Sequence, residues 1–169
     1  LAGGNTSSPA KPVLRCFWDA SVLAIVGIPV VKFGDLVLTA IYPLLATLAA
    51  YLLGSLSFAV IVSRLMGLSD QRTFGSKNPG ATNVLRIGGK RAAIMTLLGD
   101  ALKGVIPVLA SKWYGLDTQD LSLVTFAAFI GHLYPIYFRF EGGKGVATTF
   151  GCLLALAWPV GLAMLFTWI

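Results

Sequence analysis

The chain has 169 residues, of which 56% are hydrophobic and 12% are charged, and its formal net charge is +6. Soluble domains usually carry about 25% charged residues, so this composition excludes an ordinary soluble protein and favours a membrane protein. The basic excess is not in itself a nucleic-acid signal, because membrane proteins concentrate Lys and Arg on cytoplasmic loops. Cys16 and Cys152 form no CxxC pair, so the sequence predicts neither a zinc site nor a disulfide framework.

The N-terminal residues 1–34 give no firm prediction. They start with the polar stretch LAGGNTSSPAKP, and the apolar run that follows is short and interrupted by Asp19. A signal peptide would need a more basic start and a small-residue cleavage site, so the fit is poor. We expect the organised domain to comprise residues 35–169.

Four hydrophobic segments follow in chain order: Leu36–Ser63, Ala92–Ser111, Leu121–Phe138 and Gly145–Ile169. The first and the last hold 28 and 25 positions without a charge, and about 20 apolar residues are enough to cross the hydrocarbon core. We therefore predict an all-α fold, a polytopic integral membrane helix bundle with glycine-rich cytoplasmic loops and short or broken helices. The last run has not ended where the sequence stops.

The loops between these segments predict an orientation. Residues 64–91 contain six basic residues and one acid, residues 112–120 contain one basic residue and two acids, and residues 139–144 contain two basic residues and one acid. The positive-inside rule then assigns loops 64–91 and 139–144 to the cytoplasm and loop 112–120 to the outside. All the unusual polar sequence falls on the cytoplasmic face.

The first segment contains Ser55 and ends close to Arg64. Nine residues of a regular helix turn through about 900°, which places these two side chains on opposite faces. They can share one site only if the helix breaks near Gly54. Alternatively, Arg64 is a snorkelling anchor at the membrane surface.

The first cytoplasmic loop contains GSKNPGAT. Gly75 and Gly80 have the spacing of a Walker A loop, but Ala81 occupies the position of its lysine, so we exclude a nucleotide-binding P-loop. The two glycines still permit positive φ, and successive N–H groups can then converge on an anion. Because a solvated connector would not need two glycines, two asparagines and a proline, we favour a phosphate cradle.

The stretch ATNVLRI predicts a short helix, with Thr82 or Asn83 near its N-terminal cap and Gly88–Gly89 at its end. A helix N-terminus is itself an anion site. Asn78 adds a further donor, and Arg86 lies on the same helix face as Asn83. This pattern strengthens the prediction of a phosphate site.

Two charged residues, Asp100 and Lys103, interrupt the second segment at a spacing that places them on one helix face. Charges within a span usually mark function, although the pair could also serve only helix packing. In the third segment, His132 is the one histidine of the sequence, and Pro135 frees backbone groups just after it. EGGKG then forms a second glycine-rich turn, in which Lys144 is either a phosphate ligand or a positive-inside anchor.

Four motifs carry a family resemblance: YLLGSLSFAVIVSRLMG, GSKNPGATNVLR, LLGDALKG and GHLYPIYFRFEGGKGVAT. In this order, from about Tyr51 to Trp158, they resemble the bacterial acyl-phosphate-dependent glycerol-3-phosphate acyltransferase (PlsY) family. The resemblance implies an enzyme of the inner membrane that transfers a fatty acyl group from acyl phosphate to the 1-hydroxyl of glycerol 3-phosphate. The products are lysophosphatidate and inorganic phosphate, in the first step of phospholipid synthesis. The active site is expected to face the cytoplasm. Members of the family usually continue with more hydrophobic helix, so the resemblance also implies that the domain of residues 35–169 is C-terminally incomplete.

The residues and the resemblance together predict the site. The catalytic residues are expected to be Ser55, Arg64, Lys103 and His132. The residues that bind substrate and phosphate are expected to be Gly75, Ser76, Asn78, Gly80, Thr82, Asn83, Arg86, Gly142, Gly143 and Lys144. We expect no cofactor, no metal and no nucleic-acid partner, and we expect a monomer in contact with membrane lipid.

Two departures from the family pattern bear on the geometry. Ser57 occupies a position that is usually proline, so the predicted helix break depends on Gly54 alone. Lys77 occupies a position where glycine is commoner, which predicts that this position does not need positive φ.

The general base stays open at this stage. Ser55 and His132 can form part of a Ser–His relay, or a substrate phosphate can take the proton. His132 lacks the carboxylate of the His-x4-Asp motif, because Tyr137 follows it at that spacing, so CoA-dependent chemistry is disfavoured. The alternative function is an anion or phosphate-ester transporter, which would also use cations and glycines in broken helices.

Overall fold

The structure is a computed structural model that describes residues 33–73 and 75–168, with side chains from residue 39 onward. Most of the N-terminal part without a firm prediction, residues 1–34, lies outside the described residues. Backbone contacts divide the chain between residues 39 and 40, and residues 40–169 form one compact unit.

The described residues form α-helices and contain no strand, which confirms the all-α prediction. In chain order the α-helices are α1 (Phe33–Gly54), α2 (Phe58–Leu65), α3 (Ala81–Trp113), α4 (Thr118–Leu133), α5 (Val146–Leu156) and α6 (Trp158–Trp168). A short 3-10 helix, Ile136–Phe138, lies between α4 and α5.

Two segments of the described residues, Ala81–Trp113 and Thr118–Phe138, are long and apolar enough to cross a membrane. Helices α1 and α2 make a third span if they are counted as one, and they meet at a bend of 45°. The first hydrophobic segment, Leu36–Ser63, is thus interrupted after Gly54, at the place where a break would be needed for Ser55 and Arg64 to share a site. The break forms even though Ser57 replaces the proline.

The hydrophobic segment Gly145–Ile169 is long enough to cross a membrane as one helix, but its described residues form two separate helices, α5 and α6, of 11 residues each. The backbone leaves the helical region at Ala157 (φ −149°, ψ 91°). Pro159 has no N–H group to bond the carbonyl of Ala155, so a helix running through it would lose that hydrogen bond. The Nζ of Lys112 supplies the missing donor, at 2.7 Å from the carbonyl oxygens of both Ala155 and Leu156.

Helix α3 begins at Ala81, with Gly80 as its N-cap. Thr82 and Asn83 therefore lie in the first turn of the helix, near its N-terminal cap as predicted. The predicted end of a short helix at Gly88–Gly89 is confirmed as a kink, where Gly89 has φ 72° and ψ −172°. The kink separates the first two turns of α3 from its membrane-length part.

The central helix α3 packs against α2, α4 and α5. Its buried positions are small or polar, whereas its exposed positions in the apolar part are large and hydrophobic; these exposed residues are Ile94, Leu97, Leu98, Leu102, Ile106 and Leu109. Glycines let the backbones approach closely: a Cβ on Gly104 would overlap the carbonyl of Thr148, and one on Gly151 would overlap that of Ala101. Small residues at contacts and apolar residues outside are typical of helices that pack in a membrane.

We predict that Lys112→Met destabilises the protein. The substitution keeps the length of the side chain but leaves the carbonyls of Ala155 and Leu156 without their donor, at a cost of about 1–3 kcal/mol. The midpoint of thermal unfolding in detergent should fall by several degrees. Lys90→Met removes an exposed charge elsewhere on α3 and is the matched control. Equal midpoints for the two variants would contradict the capping role of Lys112.

Candidate active site

A cavity of about 540 Å³ lies among the loop before α3, helix α3 itself, the end of α4, and helices α5 and α6. Its polar lining residues come mainly from the loop and the start of α3: Ser76, Asn78, Gly80, Thr82, Asn83, Arg86, Asp100, His132 and Lys144. Its larger apolar lining residues come from the middle of α3 and from α5 and α6: Leu97, Leu98, Val146, Phe150, Met164, Leu165 and Trp168. One cavity thus offers anion-binding groups and a wide apolar surface.

Most of the predicted site residues line one of two neighbouring spaces, the large cavity or a small crevice. The residues that line the large cavity are Ser76, Asn78, Gly80, Thr82, Asn83, Arg86, His132 and Lys144. A small crevice of about 10 Å³ is lined by Ser55, Lys103, Gly142 and Gly143, and it shares His132 with the cavity. Arg64 and Gly75 line neither of them, and the side chain of Arg64 is exposed at the end of α2.

The backbone of the loop differs from the prediction at two positions. Gly75 has φ 60°, as expected. Gly80 has φ −154°, so its backbone is extended and does not use positive φ. Lys77 has φ 55°, so the prediction that this position does not need positive φ is wrong. The departure from glycine therefore leaves a lysine in a left-handed conformation that its Cβ disfavours.

Asn83 holds the loop against α3. Its Nδ2 donates to the carbonyl of Gln71 at 2.9 Å, and its Oδ1 accepts the backbone N–H of Ser76 at 3.4 Å. A Cβ on Gly75 would overlap the Asn83 side chain, so this position needs a glycine for lack of space as well as for its positive φ. Asn83 therefore positions the loop from inside, in addition to lining the cavity.

Sequence reasoning missed Gln71, which connects this arrangement to α2. Its side chain is buried, and its Nε2 donates to the carbonyl of Ala59 at 2.7 Å and to the hydroxyl of Ser63. A neutral amide among other polar loop residues gives no signal that distinguishes it in the sequence. Only the fold shows that it binds the loop to a neighbouring helix.

A second contact fixes the start of the same loop. Arg72 forms an ion pair with Asp70 at 2.7 Å and lies over the ring of Phe138, 5.7 Å from its centroid. The hydrogen bonds from Arg72 hold the pKa of the Asp70 carboxyl below its usual value. This pair therefore contributes to stability at neutral pH and loses its contribution as the pH falls through the lowered pKa. Because both side chains are partly exposed, that contribution is small.

Asp100 and Lys103 satisfy the polar groups at the break between α1 and α2. They form a buried ion pair, with 3.0 Å between Lys103 Nζ and Asp100 Oδ1. Lys103 Nζ also donates to the carbonyl of Leu56, and the backbone of Phe58 hydrogen-bonds to the Asp100 carboxylate. The break is therefore bound from both sides by two side chains of α3.

Ser55 lies in this break, fully buried, and its hydroxyl donates to the carbonyl of Tyr51 at 2.8 Å. Within the described residues no hydrogen bond joins Ser55 to His132. Both side chains nevertheless line the small crevice, beside Lys103.

His132 has two neighbours that matter for its protonation. Thr148 Oγ1 lies 3.1 Å from His132 Nδ1, and Asp100 Oδ1 lies 3.7 Å from the same nitrogen. On the other side of the ring, a Cβ on Gly143 would overlap Nε2. Thr148 is a further residue that sequence reasoning missed, since a threonine in a membrane helix carries no specific signal.

Comparisons with known proteins agree with this geometry. A family model described as glycerol-3-phosphate acyltransferase matches residues 44–169. The glycerol-3-phosphate acyltransferase of Methylococcus capsulatus is 66% identical over 71% of this chain and 61% of its own length. That of Albidiferax ferrireducens is 62% identical over 76% of this chain and 59% of its own length. This chain thus spans about three-fifths of the length of the curated relatives it matches.

Two solved structures are similar as well. Both are crystal structures of PlsY (YgiH), an integral membrane glycerol 3-phosphate acyltransferase. Its glycerol 3-phosphate form is 42% identical, with a TM-score of 0.70, over 75% of this chain and 64% of that chain. Its lysophosphatidic acid form is 41% identical, with a TM-score of 0.68, over 75% of this chain and 63% of that chain.

We predict that Lys77→Gly is more stable than Lys77→Ala. Both variants remove the same charge, but alanine keeps the Cβ that a left-handed conformation disfavours, by about 1 kcal/mol. The difference in free energy of unfolding, measured in detergent, isolates this backbone effect. If the alanine variant is equally stable, the loop does not hold position 77 at positive φ.

Proposed function

The chain belongs to the glycerol-3-phosphate acyltransferase family, and from this membership we propose that it transfers a fatty acyl group from acyl phosphate to the 1-hydroxyl of glycerol 3-phosphate. The products are lysophosphatidate and inorganic phosphate. The names of the two solved forms, glycerol 3-phosphate and lysophosphatidic acid, support this acceptor and this product.

One observation carries the proposal: a single cavity combines amide, hydroxyl and cationic groups with a wide apolar wall. A reaction between a fatty acyl phosphate and a small phosphate ester needs both surfaces within reach of each other. An apolar groove without donors would not bind the phosphates, and a polar cradle alone would not hold the acyl chain.

The chemistry that we propose depends mainly on positioning. An acyl phosphate is a mixed anhydride and is already activated, so the protein has to align the glycerol hydroxyl with the acyl carbonyl. The exposed cations that line the cavity, Arg86 and Lys144, offset the charge of the phosphates. Donors of the loop, such as the side chains of Ser76 and Asn78, fix their orientation.

Lys103 acts differently from these exposed cations in our proposal. Its side chain is only 3% exposed, and its ammonium group is already engaged by Asp100 and by the carbonyl of Leu56. We infer that it orders the crevice around Ser55 and offers at most its remaining N–H group to a reacting oxygen.

The contacts of Ser55 bear on the general base. Its hydroxyl donates to Tyr51 and makes no described hydrogen bond to His132, so the contacts do not support a Ser–His relay. We therefore propose that a phosphate oxygen of a substrate takes the proton of the attacking hydroxyl. In this proposal His132 binds substrate, and no acyl-enzyme forms on Ser55.

The chain is a membrane protein, as its apolar helices and its integral membrane relatives indicate. We propose further that it resides in the bacterial inner membrane with the cavity open to the cytoplasm. The basic residues of loops 64–91 and 139–144 support this orientation by the positive-inside rule. We also propose that it acts as a monomer.

The deciding experiment mixes the purified protein with palmitoyl phosphate and glycerol 3-phosphate and follows the release of inorganic phosphate and the formation of lysophosphatidate. We expect both products, and we expect no turnover of palmitoyl-CoA. The variant His132→Ala provides the background rate. Turnover of palmitoyl-CoA alone would contradict the donor, and uptake of glycerol 3-phosphate into liposomes without acylation would favour a transporter.

We predict that Asn83→Ala raises the KM for glycerol 3-phosphate about tenfold, because the loop loses its hydrogen bonds to Gln71 and Ser76. The KM for palmitoyl phosphate should change less than twofold. Thr73→Val, which alters the same loop outside the cavity, serves as the control. An equal rise in both KM values would argue against a specific role of the loop in binding the glycerol phosphate.

A further inference from the structure

The orientation of His132 depends on one neighbouring side chain. Thr148, on α5, is 0% exposed, and its Oγ1 lies within hydrogen-bond distance, 3.1 Å, of His132 Nδ1. Asp100 Oδ1 is 3.7 Å from the same nitrogen, too far for a hydrogen bond, and it is paired with Lys103.

The direction of the hydrogen bond follows from what else the threonine can bind. Most buried hydroxyls donate their proton to an acceptor. In a helix, the usual acceptor is the carbonyl four residues earlier, and Thr149 uses it: its Oγ1 donates to the carbonyl of Gly145 at 2.9 Å. Thr148 makes no such bond among the described residues, and His132 Nδ1 is the partner in reach.

We infer that Thr148 donates to Nδ1 and thereby fixes neutral His132 as the tautomer that carries its proton on Nε2. In neutral imidazole one nitrogen accepts and the other donates, so a donor at Nδ1 requires a proton at Nε2. Thr148 is then a positioning residue that acts through His132. Nothing in the family match or in the names of the relatives assigns it a role.

The tautomer decides whether His132 donates or accepts a hydrogen bond at Nε2. Its Nε2 edge faces Gly143, and its ring lines both the crevice and the large cavity. With the proton on Nε2, His132 presents a donor to a phosphate or carbonyl oxygen and no lone pair to a hydroxyl. This inference rests on the proposed function for the identity of the bound oxygen, but not for the tautomer itself.

The first test needs no substrate. His132 is the one histidine of the sequence, so histidine labelled with ¹⁵N in the intact protein gives one pair of ring nitrogens. Long-range ¹H–¹⁵N correlations distinguish the two, because Nε2 couples strongly to both ring C–H protons and Nδ1 to one. We expect a protonated Nε2 and an unprotonated Nδ1 at neutral pH. A protonated Nδ1 with an unprotonated Nε2 would overturn the inference.

The second test uses variants of two adjacent threonines. Thr148→Val removes the hydroxyl at nearly constant shape, Thr148→Ser restores it, and Thr149→Val removes a hydroxyl that bonds only the backbone. We expect Thr148→Val to convert the ¹⁵N pattern to a mixture of tautomers and to lower kcat about three- to tenfold, the size expected for one hydrogen bond. Thr148→Ser and Thr149→Val should retain the wild-type pattern.

The outcomes separate this inference from the proposed function. If Thr148→Val keeps the wild-type ¹⁵N pattern, or if Thr149→Val changes it equally, the role of Thr148 is wrong even when acyl transfer is normal. If the pattern and its response to Thr148→Val are as expected but no form transfers an acyl group, the tautomer is supported and the proposed function fails. The wild-type spectrum tests the inference even if a variant does not fold.

Discussion

The buried ion pair between Asp100 and Lys103 is the constraint on which the site depends. A break in a membrane helix leaves backbone N–H and C=O groups without partners, and each such group costs several kcal/mol in hydrocarbon. Here the ammonium group binds the carbonyl of Leu56, and the carboxylate accepts from the backbone of Phe58. The two charged side chains and the backbone groups at the break thus supply hydrogen-bond partners to each other. The ion pair needs these bonds as well, because burying a pair of charges is costly unless further hydrogen bonds surround it.

From that point the order of the site extends outward through helix α2. This helix has only 8 residues, but it carries the carbonyl of Ala59 and the hydroxyl of Ser63, which hold Gln71. Gln71 in turn accepts from Asn83, and Asn83 holds the loop backbone at Ser76. The loop before α3 is therefore linked by hydrogen bonds through Gln71 and Asn83 to helix α2, which follows the break. The buried amides of Gln71 and Asn83 favour this one geometry, because their N–H groups would lose these partners in another.

The sequence alone predicted the features that depend on composition and on close motif spacing. Hydrophobic segments indicated the membrane helices, and glycines and amides indicated the loop that lines the cavity. It failed where a distant partner decides the outcome. The break after Leu156 follows from Pro159 together with Lys112, more than 40 positions away. The positive φ of Lys77 is a property of the folded loop that the residue type does not reveal. Thr148 becomes relevant only because the fold places it beside His132. Such pairings arise only in the folded protein, and the hydrophobic periodicity of the sequence does not predict them.

The cations illustrate why charge counting could not separate anchoring from binding. Lys112, counted as part of an outer loop, bonds two backbone carbonyls, and Lys103, predicted as catalytic, is neutralised by Asp100. The cations that line the cavity, Arg86 and Lys144, are exposed, and the other donors there are neutral side chains. Under the proposed function this balance suits turnover, because inorganic phosphate has to leave. A cradle of buried, unpaired cations would bind that product as tightly as the transition state, and such uniform binding does not accelerate the reaction. A neutral His132 that donates from Nε2 fits the same requirement: it orients a phosphate oxygen without adding a charge that would retain the product.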